Sequence, residues 1–153
     1  MVLLRIYSEI EDIKKSFQII NDLIKNEIYQ LIDPKYIVSE RQIEIALDKA
    51  KNAFKQGKNK SKSLNNELLL WICAEKHVSQ AIKKAGAKKT SDFFLFYKGN
   101  KKIENILEQI QAKKLKLEFT PDLKALKIDK KLLKTYKLED LVLEKMAVSY
   151  LER

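Results

Sequence analysis

The sequence predicts an α+β fold, a single domain in which several α-helices pack on a small, mostly antiparallel sheet. The chain has 153 residues and 45% of them are apolar, which suits one domain with a substantial core. Strand-like stretches at 2–7, 93–97 and 114–119 are separated by blocks of helical pattern. The helical segments between the first two strands are too many for a simple alternating parallel sheet, which favours α+β over α/β.

The first elements are indicated by hydrophobic periodicity and by capping residues. The apolar stretch 2–7 predicts a strand. Ser8 and Glu11 fit a capping box, and apolar residues at helical spacing then predict a helix over 9–25. The segment 27–33 fits a strand or a helix equally well.

The middle of the chain predicts a group of helices. Ser39 and Gln42 fit a second capping box, for a helix that ends at Gly57. Residues 68–74 are apolar on every side, which predicts a buried helix, and residues 78–85 continue with one apolar face.

The last third of the sequence alternates between predicted strands and predicted helices. Residues 93–97 predict a buried strand, and 102–110 predict a helix. The strict alternation of 114–119 predicts an edge or half-exposed strand, and the stretches 129–136 and 139–151 have helical patterns.

The chain is strongly basic, with a formal charge of +10. This charge favours an acidic partner, such as nucleic acid, an anionic membrane or an acidic protein surface. Only three of the 31 basic residues are arginines, and lysine lacks the planar fork that reads guanine edges. A nucleic-acid partner would thus be recognised by its backbone or shape. A lysine-biased genome or a heat-adapted surface explains the composition equally well.

Residues that carry catalysis or bind metals are scarce. Cys73 and His77 are the only cysteine and histidine, and two residues four apart do not make a metal site. The sequence has no nucleophile elbow and no glycine-rich phosphate loop. We expect no catalytic residue, no metal and no cofactor, so the chain is not predicted to be an enzyme. One cysteine, no apolar run of membrane-spanning length and no signal peptide fit a cytoplasmic protein without a membrane partner.

The stretch GKNKSKSLNNELLLW, residues 57–71, is the strongest binding signal. A run of charges is usually a solvated face, but this one lies between a capped helix and a buried helix, so it has fewer conformations to lose on binding. Its serine hydroxyls and the free amides of the following helix could bind phosphate. Phe54 and Trp71 are core residues or platforms on which a base stacks.

The last helix is apolar around its whole circumference. A terminal surface helix normally has one apolar side. Either this helix is buried in its own domain or its second face meets a partner protein.

The span 33–97 resembles the kinase-binding small subunit of KEOPS, also called EKC, a family that includes the animal protein TPRKB and archaeal and fungal counterparts. The chain is similar to an archaeal-type member. The resemblance is carried by an ordered set of residues: Ala46, Ala50, Ala53, Gly57, Lys58, the basic serine run, Leu64, Glu67, Val78, Ala81, Ile82 and Gly86. Related sequences often look broken before the helix 78–85, whereas CAEKH, 73–77, has no proline or glycine.

The resemblance implies a noncatalytic role in making the threonylcarbamoyl modification of the adenosine next to the anticodon. Another KEOPS subunit does that chemistry. Members of this family bind the small lobe of the complex's atypical kinase/ATPase, and archaeal members bind the single-stranded 3′ CCA end of tRNA. Other KEOPS subunits are then indirect partners.

The resemblance and the charge pattern together give two sets of candidate site residues. For tRNA we expect Lys58, Lys60, Ser61 and Lys62, with Arg41 and Lys88 as outer phosphate contacts. Glu67 is expected mainly as a helix-dipole and capping group, with a hydrogen bond to a base edge as the other possibility. For the kinase we expect Leu143, Met146, Ala147 and Tyr150 of the last helix.

Two rival functions stay open at this point. One is a purely structural or allosteric kinase adaptor without RNA contact. The other is a general RNA-binding protein outside KEOPS, whose affinity would fall steeply with salt.

Overall fold

The structure is a computed structural model that describes residues 1–151, with side-chain burial described through Ser149. The chain forms two compact units. The first comprises residues 1–34 and 86–118, and the second comprises residues 35–85 together with the chain from Phe119 onwards. The single domain expected from the chain length stays a prediction. The described helices are α1 Ile13–Ile24, α2 Glu40–Lys55, α3 Leu64–Ile72, α4 Val78–Ala85, α5 Ile103–Gln109, α6 Leu123–Leu126 and α7 Leu138–Leu151.

The first unit is built on a four-stranded sheet. Its strands are β1 Val2–Ser8, β2 Ile28–Ile32, β3 Phe93–Lys98 and β4 Ala112–Lys114, in the order β2-β3-β1-β4. Every neighbouring pair is antiparallel. The α+β class is therefore confirmed, and the ambiguous segment 27–33 is a strand.

The core of the first unit lies between the sheet, α1 and α5. β3 is at the centre, and its residues from Phe93 to Tyr97 are all buried, as the sequence predicted. The core cluster consists of Ile6, Ile20, Ile24, Tyr29, Leu31, Phe93, Leu95, Tyr97, Ile106, Leu107 and Ile110.

Helix α1 begins later than predicted, and the capping box at Ser8 is wrong. The helix is capped by Asp12, whose carboxylate accepts the Lys14 backbone N–H at 2.9 Å. Ser8 is the last residue of β1, and its hydroxyl donates to the backbone carbonyl of Ile110. That partner is remote in sequence, so a local motif could not reveal it.

The strand predicted at 114–119 is also wrong. Strand pairing ends at Lys114, after which the Leu115 N–H still donates to the Arg5 carbonyl at 2.8 Å. Leu115 and Leu117 are 41% and 43% exposed, so the apolar side of this alternation is not buried. The stretch 129–136 is likewise shorter than predicted, since it contains a 3₁₀ helix over Lys130–Lys134.

The second unit is helical. Helix α2 packs on α3, α3 packs on α4, and α7 packs on both α2 and α3. Ser39 caps α2 by accepting the Gln42 N–H at 3.1 Å, as predicted. The Gln42 side chain accepts from the Val38 N–H at 2.8 Å and so closes the cap one residue earlier than a standard capping box. Within residues 1–151, no helix has the length and apolar character needed to cross a membrane.

A break separates α3 from α4, although its sequence contains neither glycine nor proline. Helix α3 ends at Ile72, and Ala74 then has a left-handed φ of 52°. The Glu75 N–H donates to the Leu70 carbonyl at 3.0 Å, which closes the helix end in the manner of a Schellman motif. The left-handed position is therefore occupied by alanine, which gave no signal in the sequence.

Candidate functional site

The basic loop, residues 57–63, joins α2 to α3, and its first end is fixed by a helix cap. Gly57 has a φ of +68°. The Gly57 N–H donates to the Phe54 carbonyl at 3.2 Å, and the Lys58 N–H donates to the Ala53 carbonyl at 2.8 Å. This is a Schellman-type ending, so the chain leaves α2 in a defined direction.

The other end and the middle of the basic loop are fixed from α3. Ser63 caps α3 by accepting the Asn66 N–H at 3.0 Å. Glu67, which is completely buried, accepts two backbone N–H groups of the loop on one carboxylate oxygen. The donors are Lys60 at 3.0 Å and Ser61 at 2.8 Å. The loop is therefore held at both ends and in its centre.

This arrangement directs three lysines outwards. Lys58, Lys60 and Lys62 are exposed and form no ion pair with any residue that the structure describes. Ser61 is only 5% exposed, and its hydroxyl accepts the Ser63 N–H at 3.2 Å. The loop thus presents ammonium groups to solvent, and the Ser61 side chain helps to shape it.

Of the two predicted outer contacts, Arg41 lies in the same unit as the basic loop but does not join it, and Lys88 lies in the first unit. Arg41 lies in the first turn of α2 and contacts Glu139 at 3.4 Å, whereas the loop follows the last turn. At about 1.5 Å per residue the two are about 20 Å apart along the helix. Lys88 belongs to the first unit, where its ammonium donates to Asp33 at 3.1 Å. Their contacts with tRNA stay predictions.

Trp71 is a core residue. It is 1% exposed, and the Lys49 ammonium lies 5.4 Å from the centroid of its ring. Beside the ring is a small cavity of about 120 Å³, which Asn52 and Gln56 also line. With its ring covered in this way, Trp71 does not offer an open stacking platform.

Helix α7 is buried along one side and accessible on others, so burial in its own domain accounts for part of its apolar surface. Val142, Met146 and Ser149 are buried in the second unit. Leu143 is half-buried and Ala147 is exposed. Met146 is completely buried and therefore belongs to the core rather than to a surface that a partner can reach. The side chain of Tyr150, the fourth residue expected to contact the kinase, lies outside the described residues.

A sequence model of the family described as "Kinase binding protein CGI-121" matches residues 10–152. The chain belongs to this family. The match covers nearly all of the chain and confirms the resemblance drawn from residues 33–97.

In this CGI-121 family protein, a groove of about 470 Å³ runs along another side of α7. Its apolar wall includes Leu132, Leu141 and Val148, and Val148 is 45% exposed. The Lys145 ammonium donates to the carbonyls of Leu126 and Lys127, both at 2.7 Å. Burial, together with the charge of Lys127, lowers the pKa of Lys145. The sequence pointed to α7 but not to the carbonyls at the end of α6 that help to form this groove.

The groove also contains Cys73, which is not an activated nucleophile. Burial raises the pKa of the Cys73 thiol to about 12, so the thiol stays protonated at neutral pH. Its neighbours Glu75 and Lys84 form an ion pair at 2.7 Å. That ion pair lowers the pKa of Glu75, the Lys84 hydrogen bond being the main cause. Among the described residues, no group of three metal-binding side chains occurs.

Replacing Gly57 with alanine should lower the free energy of unfolding by about 1 kcal/mol. A β-carbon at this φ of +68° is strained, and it would meet no atom within 4 Å, so the loss is conformational and not steric. Chemical denaturation monitored by circular dichroism measures this loss of stability. Gly57→Asn should lose less, because asparagine tolerates the left-handed region. Equal losses in the two variants would contradict this account.

Proposed function

We propose that this CGI-121 family protein is a noncatalytic subunit of the KEOPS complex in tRNA threonylcarbamoyladenosine modification. In this role it binds the atypical kinase/ATPase of the complex and recruits tRNA through the single-stranded 3′ CCA end. The observation that carries the tRNA part is the basic loop, which is fixed at both ends and exposes Lys58, Lys60 and Lys62.

The shape and charge of the basic loop suit a flexible nucleic-acid strand. A single strand has phosphates at variable positions, and lysine binds phosphate as a point charge without strict geometry. A loop that is already ordered loses little conformational entropy on binding. Because the loop contains no arginine, we expect contacts to the backbone rather than sequence reading of a duplex.

The proposed mechanism is one of anchoring. The lysines neutralise the terminal phosphates, and the loop accepts the unstacked bases of the CCA end. The bound tail holds the tRNA so that its anticodon arm reaches the catalytic subunit. In this scheme the chain supplies affinity and orientation, and it performs no chemical step itself.

The double change Lys60→Glu with Lys62→Glu should abolish binding of the 3′ end and leave kinase binding intact. Fluorescence anisotropy with labelled tRNA, intact or trimmed of its CCA end, measures binding of the 3′ end. Co-purification with the kinase measures kinase binding. Wild-type protein should bind intact tRNA at near-physiological salt and bind trimmed tRNA far more weakly. For the residual tRNA binding of the double variant at low salt, the slope of log affinity against log salt should be smaller in magnitude by about 0.7 for each phosphate that the loop no longer neutralises.

A matched control distinguishes the loss of a specific binding site from an effect of net charge. Lys14→Glu with Lys15→Glu makes the same charge change on exposed positions of α1, in the first unit. If both double variants weaken tRNA binding equally, the effect is one of overall charge, and the tRNA part of the proposal fails. The kinase-facing adaptor without RNA contact then becomes the leading function.

A further inference from the structure

We infer that Glu67 is a positioning residue of the tRNA site, whose buried carboxylate gives the basic loop its binding shape. The inference rests on the proposed function, because it assigns a role within the same site. Glu67 itself is completely buried, so it acts through the loop backbone and does not contact the RNA.

The carboxylate of Glu67 reaches the backbone of the loop. The N-terminus of α3 is already capped by Ser63, which accepts the Asn66 N–H. One oxygen of Glu67 accepts from Lys60 and Ser61, at 3.0 and 2.8 Å. Two adjacent backbone amides thus turn inwards around a single anionic oxygen.

This inward turn decides where the lysine side chains go. Ser61 is drawn inside, with 5% of its surface exposed, while Lys60 and Lys62 on either side of it are exposed. Without the carboxylate, the amides of Lys60 and Ser61 would have to find water or other acceptors. The loop would then sample many conformations, and binding would have to order it again.

Because Glu67 is acidic, a positioning role and a simple electrostatic effect predict opposite changes in RNA affinity when it is replaced. A negative charge beneath a phosphate-binding loop repels RNA. Removing it raises the net charge of the protein by one, so electrostatics alone predicts tighter binding. A positioning role predicts the opposite, weaker binding despite the additional positive charge.

The experiment compares Glu67→Ala and Glu67→Gln with Asp48→Asn. Asp48 is exposed on α2, so its change adds the same charge without touching the loop. By anisotropy with intact tRNA we expect the dissociation constant of Glu67→Ala to rise about tenfold. Glu67→Gln should lie between it and wild type, because an amide oxygen still accepts hydrogen bonds. Asp48→Asn should bind as tightly as wild type or more tightly, and all three should bind the kinase normally.

Two results would overturn the inference. One is a Glu67→Ala variant that binds tRNA as tightly as Asp48→Asn. The other is rapid hydrogen exchange at the amides of Lys60 and Ser61 in the free wild-type protein. This second measurement does not depend on whether the variants fold. Slow exchange at both is the expected result. Failure of the proposed function looks different, because wild-type protein would then bind intact and trimmed tRNA alike.

Discussion

Replacing Ala147 with arginine should break the complex with the kinase and leave the chain folded. Ala147 is exposed on α7 beside the half-buried Leu143, so a longer side chain there meets solvent in the free protein. If the kinase binds the side of α7 that carries Leu143 and Ala147, the arginine side chain at position 147 would place an unpaired charge in the desolvated interface. We expect an affinity loss of at least about a hundredfold, measured by calorimetric titration with the atypical kinase.

The control for Ala147→Arg is Ser79→Arg, which adds the same side chain at an exposed position of α4 in the same unit. It should bind the kinase like wild type, and thermal melts should show that both variants are folded. Val148→Arg tests the groove, because Val148 points about 100° further around the helix. If Ala147→Arg binds normally while Val148→Arg does not, the kinase binds on the groove side, and the prediction for Leu143 and Ala147 is wrong.

The elements that the sequence predicted well depend on neighbours close in the chain. The cap at Ser39 and the ending at Gly57 are set by contacts within one or two helical turns. The all-apolar stretch of β3 predicted its burial on both faces, because a strand covered on both sides has a continuous run of apolar residues rather than an alternating pattern. Local patterns of this kind need no knowledge of the rest of the fold.

The predictions that failed depend on partners far away in the chain. Ser8 matches a capping box, yet its hydroxyl donates to Ile110, so Asp12 takes over as the cap. The alternation of 114–119 describes a strand with one buried face, but Leu115 and Leu117 stay exposed. A periodic pattern states which side chains share a face and not whether anything covers that face.

In the candidate site too, one feature set by local contacts was predicted and features set by remote contacts were not. The first end of the basic loop was predicted from Gly57, because that cap is local. The hydroxyl of Ser63 was expected to bind phosphate, but it caps α3 by accepting the Asn66 N–H. For Glu67 the sequence indicated a helix-dipole and capping role at the start of α3, but not the hydrogen bonds that it accepts from two loop amides. Met146 was expected at the surface and is buried, because a helix apolar on all sides does not reveal which side packs inwards.

Replacing Trp71 with alanine should lower the free energy of unfolding by about 3–5 kcal/mol. Trp71 is the single tryptophan of the chain and one of its largest fully buried side chains, packed in an α3 whose residues from Leu68 to Ile72 are all buried. Its removal leaves a void next to an existing cavity of about 120 Å³. A loss of this size is a large part of the roughly 5–15 kcal/mol that typically stabilises a domain. Urea unfolding followed by circular dichroism measures it, since the variant has no tryptophan fluorescence.

Trp71→Phe distinguishes a core residue from a stacking platform. Phenylalanine fills much of the space, so its loss of stability should be well below that of Trp71→Ala. It should also bind tRNA like wild type, because the ring is 1% exposed and covered by Lys49. A platform gives the reverse pattern, in which stability hardly changes and tRNA affinity falls, because stacking on an aromatic ring is worth about 1–3 kcal/mol per base. That pattern would mean that Lys49 leaves the ring when RNA binds, and it would extend the tRNA site from the basic loop to the end of α2.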